Sequence, residues 1–168
     1  MGSESLEYIH ISNISSWLQI KFYNGLFLDN SADLYVDGKI LTELVVPEGV
    51  TEIPNYAFYN YKKLKSVTIS NSVTKIGTSA FAHCTSLKKV IISDSVTKIF
   101  SDAFYGCDIN ELYLGKGLTD IQRNAFNTNF NLKTVYYSGT KEEWENVFID
   151  AEAFSTSYTV YFQKKQQK

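Results

Sequence analysis

The side chains best suited to bond-making chemistry are few, and their spacing argues against a catalytic set. The chain holds two histidines, His10 and His83, and two cysteines, Cys84 and Cys107. A Cys–His pair could supply a thiolate nucleophile with an imidazole as its base. His83 and Cys84 are adjacent, however, and neighbours on an extended chain point to opposite faces. His83 therefore reads as a turn residue. Glu43, Glu48 and Glu52 fall on changing faces and lack the second cluster that a general acid–base pair needs. No Gly-rich phosphate loop, H-E-x-x-H, G-x-S-x-G or C-x-x-C pattern occurs. Two cysteines are too few to make a metal centre. The expectation is a protein that is no enzyme, with no cofactor and no metal.

The elements that would position any working surface come from an internal repeat, which decides the fold. Leu41-Thr42-Glu43-Leu44-Val45-Val46 runs through Val50 and Ile53 to Ala57-Phe58. Leu64, Val67, Ile69, Val73 and Ile76 lead in the same way to Ala80-Phe81. Leu87, Val90, Ile92, Val96 and Ile99 lead to Ala103-Phe104, and Ile109, Leu112, Leu114, Leu118 and Ile121 to Ala125-Phe126. The phenylalanines recur at 23, 23 and 22 residues. A fifth copy begins at Leu132, Val135 and Tyr137 and then departs. The pattern is L-x-x-V-x-I-x-x-x-V-x-x-I-x-x-x-A-F.

Each copy reads as one coil. L-x-x-V-x-I ends in the alternation of a half-buried strand; V-x-x-I turns the chain back; Ala-Phe closes a third side. Small polar residues before the Ala-Phe pair (Asn55 or Tyr56, Thr78 or Ser79, Ser101 or Asp102, Asn124) are expected to N-cap one helical turn. One coil cannot offset the entropy of ordering its backbone, so coils must stack and cover each other.

An open stack exposes its core and a strand edge at both ends. Thr140 with Glu143 is a capping box, and Trp144, Val147 and Phe148 are expected on one apolar helical face after it. Ile14, Trp17 and Leu18 form a similar face near the start, where Trp17 aligns with Trp144 and Ile20 with Val147. Asp37-Gly38 is a hairpin signal leading into Ile40-Leu41. Each tryptophan reads as a core-sealing plug. The implied organisation is an N-terminal cap over 1–40 (helix plus hairpin), repeats over 41–138 (four full, one partial), and a C-terminal cap over 139–168 with a disordered tail. Cys84 and Cys107 occupy the same place in adjacent coils, aligned with Tyr61 and Asn129, and read as buried free thiols.

Composition narrows the partners. Sixteen basic and 18 acidic residues give a net charge of −2, which offers no pull toward nucleic acid. No apolar run approaches the ~18 residues of a spanning helix, so membrane insertion is not expected. The first residues lack the basic and apolar regions of a secretion signal, and read more like an artificial start or an excised fragment than a natural precursor.

Ser70-Asn71-Ser72-Val73-Thr74-Lys75-Ile76-Gly77 with Ala80-Phe81, repeated at Ser93-Asp94-Ser95-Val96-Thr97-Lys98-Ile99, resembles the BspA-like, or Treponema pallidum-type, leucine-rich repeats. Tyr136-Tyr137-Ser138-Gly139-Thr140 with Glu143-Trp144 looks like the end segment of such proteins. The resemblance covers about residues 10 to 162. It implies an α/β repeat solenoid: a right-handed, curved leucine-rich-repeat stack with a parallel β-sheet, short helical turns and helix-containing caps. It also implies a bacterial or protozoan surface protein, often an adhesin binding host or neighbouring-cell proteins.

Outward strand positions then define columns along the stack. One runs Glu43, Ser66, Lys89, Glu111, Thr134; the next runs Val45, Thr68, Ile91, Tyr113, Tyr136. The second places β-branched and aromatic groups in water, where tyrosine suits an interface. Such residues also stabilise strands through cross-strand ladders, so both readings stand. The candidate partner-binding residues are Val45, Thr68, Ile91, Tyr113, Tyr136, Glu43, Lys89 and Glu111. Lys65, Lys88 and Lys133 form a rim column that reads as a solvated face. The function expected is a non-catalytic, monomeric protein-binding module of a bacterial cell-surface or secreted protein. The alternative is a structural spacer of a larger protein or assembly.

Overall fold

The computed structural model of the chain describes residues 7–23, 32–155 and 157–162. The tail after Phe162, expected to be disordered, lies outside the described residues. At the N-terminus come β1 (Tyr8–Ile11), α1 (Ile14–Trp17), β2 (Asp33–Val36) and β3 (Lys39–Ile40). Strand β2 pairs parallel with β1 and antiparallel with β3. Asp37 and Gly38 both take positive φ, 48° and 74°, as the expected tight hairpin requires.

The coils follow. Strand β4 (Glu43–Val45) is succeeded by β5 (Glu52–Ile53), and the pair recurs as β6 (Ser66–Thr68) with β7 (Lys75–Ile76) and β8 (Lys89–Ile91) with β9 (Lys98–Ile99). It recurs again as β10 (Glu111–Leu114) with β11 (Asp120–Ile121). Strand β12 (Thr134–Tyr137) leads to α2 (Lys141–Glu145), β13 (Phe148–Ile149) and β14 (Thr159–Phe162). The first strand of each coil joins a six-stranded parallel sheet and the second a five-stranded one. Chain and space run in the same order, as a solenoid demands.

The repeat's apolar positions fill the interior. Leu64, Val67, Val73, Ile76, Ala80 and Phe81 of the second coil are all fully buried. The Ala-Phe phenylalanines form one column: Phe58–Phe81, Phe81–Phe104 and Phe104–Phe126 stack at 5.3, 5.0 and 5.2 Å within 6° of parallel. These spacings exceed the ~4.8 Å between strands only slightly, so each ring is offset over the next, the favoured stacking mode.

Three expectations need correction. The third side carries no helical turn. Tyr56, Ser79, Asp102 and Asn124 take φ of 53° to 60°, whereas an N-cap residue is extended. A second left-handed residue follows four places later at Asn60, His83, Gly106 and Thr128. The tight turns so made leave the amides of Phe58, Phe81 and Phe104 free to donate to the carbonyls of Ala80, Ala103 and Ala125. The third side is thus a ladder between coils.

The second correction concerns the fifth copy, which is complete. Ile149 pairs with Ile121, Phe126 bridges in parallel to Phe154, and the rings of Phe126 and Phe154 stack at 5.1 Å. Helix α2 is an insertion inside this coil, so Ala153-Phe154 falls 28 residues after Ala125-Phe126.

The third correction is the C-terminal helix face. Helix α2 has the Thr140–Glu143 capping box but buries no residue. Val147 is buried, while Phe148, already in β13, is 62% exposed. Trp144 is half-buried against Tyr137, ring centroids 4.9 Å apart. The two caps also differ at the other aligned pair, since Ile20 is exposed where Val147 is buried. Ile14, Trp17 and Leu18 do share one buried face.

Candidate partner-binding surface

Strand alternation sends Leu44, Val67, Val90, Leu112 and Val135 inward and their neighbours outward. The in-register pairs Val45↔Thr68, Thr68↔Ile91, Ile91↔Tyr113 and Tyr113↔Tyr136 bring the proposed column together across the six-stranded sheet. Tyr113 and Tyr136 stack at 4.8 Å and 15°. Val45 is 68% exposed and Tyr136 41%, while Thr68, Ile91 and Tyr113 are half-buried between their neighbours.

The column is longer than the sequence reading allows. Tyr161 pairs with Tyr136 in β14, stacks on it at 5.7 Å, and is 58% exposed. Its signal was the segment Val160-Tyr161-Phe162, which repeats the Val-Tyr-aromatic pattern of Val135-Tyr136-Tyr137. Beside the three stacked tyrosines lies a shallow groove of about 300 Å³, bordered also by Ile91, Ser138 and Phe162.

The neighbouring column is charged. Glu43, Ser66, Lys89 and Glu111 lie in register. Lys89 Nζ contacts Glu111 Oε2 at 3.0 Å and sits 5.6 Å from the Tyr113 ring centre. The carboxylate holds the lysine's pKa above its ordinary value. Glu43, at the far strand, is exposed. The rim lysine Lys88 ion-pairs with Asp108, whose other oxygen accepts from Asn131 Nδ2 at 2.6 Å. The lysine and the asparagine together lower the Asp108 pKa.

The chemistry-bearing residues are placed apart. His10 stacks on Tyr35 at 4.8 Å. His83 lies edge-on between Tyr59 and Tyr105, at 5.6 and 5.4 Å. Cys84 is buried, and its Sγ donates to the Phe58 carbonyl at 3.1 Å. Burial, reinforced by Cys107, pushes the Cys84 thiol pKa well up, the reverse of an activated nucleophile. Among the described residues no three His, Cys, Asp or Glu converge as metal ligands, and no helix is long and apolar enough to cross a membrane.

The profile of BspA-type leucine-rich-repeat regions matches residues 34–161 in six copies. The chain belongs to this family. Repeat arrays of this BspA type are generally non-catalytic. No curated protein matches the chain significantly. Among solved structures, a leucine-rich-repeat protein of Bacteroides ovatus is 37% identical, covering 56% of this chain and 24% of its own, with a TM-score of 0.53. A leucine-rich cell-surface protein of Faecalibacterium prausnitzii is 26% identical over 66% of this chain and 35% of its own, TM-score 0.48. A T. pallidum leucine-rich-repeat protein is 25% identical over 57% and 58%, TM-score 0.40. This BspA-type chain therefore spans between about a quarter and three fifths of the length of these relatives.

The family also explains residues whose purpose sequence alone left unassigned. In the Ser-x-Ser-Val-Thr motif, Ser93 and Ser95 donate to the carbonyls of Ser70 and Val73 in the preceding coil. Thr74, Thr97 and Thr119 donate to Thr51, Thr74 and Thr97. The motif is a hydrogen-bonded staple between BspA-type coils.

Proposed function

We propose that the chain is a non-catalytic protein-binding module of a bacterial cell-surface or secreted protein, and that its partner docks on the outward face of the six-stranded sheet. The observation that supports this is the run of stacked, water-facing tyrosines Tyr113, Tyr136 and Tyr161 beside a groove. Tyrosine offers wide contact area with a polar tip at low entropy cost, and interface energy concentrates on such residues. Val45, Thr68 and Ile91 extend the apolar strip; Glu43, Lys89 and Glu111 give its edge polar register. The surface location follows what membership of the BspA-type family implies, and the partner class with it.

The test is capture from host- and neighbouring-cell surface extracts by the immobilised chain. Tyr113→Ser with Tyr136→Ser should weaken capture at least tenfold and leave the circular dichroism spectrum unchanged. A Tyr59→Ser control, on the turn side, should bind normally. Undiminished capture by the double variant rejects this surface.

A further inference from the structure

The aromatic rings on the third side of the first three coils stand differently from those of the interior and the sheet face. Phe58 and Phe81 lie 6° from parallel, and Tyr113 and Tyr136 15°. On the third side Tyr59 meets Tyr56 at 71° and His83 at 87°, and His83 meets Tyr105 at 86°. Neighbouring centroids there are 5.4–6.0 Å apart. Rings closed face to face leave no room between them, whereas rings set crosswise stand as walls. The space they border is a cleft of about 380 Å³, within the size of small-ligand sites.

Two small residues keep this space open. Tyr59, Ala82 and Tyr105 hold the same place in successive coils, 23 residues apart. Ala82 borders the cleft between the two tyrosines; a third tyrosine there would fill it and close the row into a ladder. Gly106 makes room for His83, since a Cβ on Gly106 would lie 2.8 Å from the imidazole Nδ1. Two polar groups border the cleft without being fully engaged by the fold. Ser79 is 9% exposed, and its hydroxyl has no partner among the described residues. Asp102 holds the same place one coil on, and one of its carboxylate oxygens accepts from Asn124 Nδ2 at 3.1 Å. Among the described residues no lysine or arginine pairs with Asp102, and none lines the cleft.

We propose that this cleft binds a small organic cation, a quaternary ammonium group of the choline type. Aromatic rings carry negative potential on their faces, and several rings around one cation form the cage that recognises such ligands. A quaternary ammonium has no N–H to satisfy, so phenol rings and one carboxylate meet its needs. Asp102 supplies the opposite charge, and the buried Ser79 hydroxyl faces the hydroxyl that a choline-type ligand carries. A neutral sugar is a poorer match. It calls for an exposed ring lying flat beneath it and a fringe of hydrogen-bonding side chains, whereas these rings are half-buried and set crosswise. The cleft lies on the turn side, so its role is independent of the docking proposed for the six-stranded sheet.

Ligand-observed NMR titration of the chain with choline tests it. Saturable binding is expected, with a dissociation constant on the order of 1 mM. The uncharged carbon isostere of choline, alike in shape, should bind about tenfold more weakly. Asp102→Asn, which keeps an oxygen for Asn124, should also weaken choline binding about tenfold. Ala82→Tyr should weaken it more than either, by filling the cleft. Tyrosine already stands at this place in both neighbouring coils, so the variant should keep the wild-type circular dichroism spectrum. Tyr113→Ser should leave choline binding unchanged, so this site and the sheet face succeed or fail separately. Phosphatidylcholine vesicles distinguish the sources. Co-flotation that Ala82→Tyr removes would put the cation on a lipid headgroup, and choline binding without co-flotation would put it on a free solute. No saturable choline signal in the millimolar range, equal affinity for the uncharged isostere, preference for a neutral hexose, or binding indifferent to both cleft variants overturns the inference.

Discussion

The aligned residues Tyr61, Cys84, Cys107 and Asn129 are all buried, and each satisfies backbone groups that the tight turns leave over. Cys84 and Cys107 donate to the carbonyls of Phe58 and Phe81. Asn129 Nδ2 donates to Phe104 and Phe126 at 2.9 Å each, and its Oδ1 accepts from Ile109 N at 3.0 Å. Tyr61 OH donates to the Leu41 carbonyl at 2.8 Å. The alignment was legible in the sequence, but its purpose was not, because the acceptors lie a full coil away. Asn129→Ala should cost about 2–4 kcal/mol in urea unfolding by stranding three buried groups. Asn129→Cys, restoring one donor, should recover part of that loss.

Tyr61 also carries a pH signature. Desolvation pushes its pKa to about 12 from an ordinary 10.0. The unfolded phenol ionises first, so Tyr61's contribution is complete below pH 10 and is lost as pH rises toward 12. Tyr61→Phe should flatten the fall in stability over that window. The slope should shrink without vanishing, since burial also raises Tyr137 and Tyr158. An unchanged slope would reject the assignment.

At the scale of elements, strands were readable because their signal is local, and the turns were misread because theirs is not. The Ala-Phe dipeptide fits a helical turn as well as a reverse turn; only the next coil's carbonyls decide between them. The insertion of α2 hid the fifth Ala-Phe pair by moving it five residues from its expected spacing. A related contrast separates coils three and four. Gly115 and Gly117 stand where Ser93 and Ser95 stand one coil earlier, and the fourth coil passes closer to its neighbour there. A Cβ on Gly117 would lie 2.0 Å from the Asp94 carbonyl oxygen, and one on Gly115 2.1 Å from that of Ser93. Gly117→Ala should therefore lower stability by about 1–3 kcal/mol, measured by thermal unfolding. A stability equal to wild type would show that this close approach is absent.

At the scale of the whole molecule, the outward wall exists only because the inward one does. The repeat made the interior column predictable, and Phe58, Phe81, Phe104 and Phe126 stack as it requires. The outward column proposed for binding was readable in part: register gave Val45 to Tyr136, while Tyr161 was set aside with the cap. If coils hold each other up, damage to one must be felt at the far end. Chemical unfolding followed by Trp17 fluorescence, in a Trp144→Phe background, reads the N-terminal end alone. Phe104→Ala, two coils from the Phe58 ring that Trp17 touches, should lower the Trp17 midpoint by the equivalent of about 3–5 kcal/mol. A Trp17 transition that stays in place while the middle of the molecule melts would contradict the account.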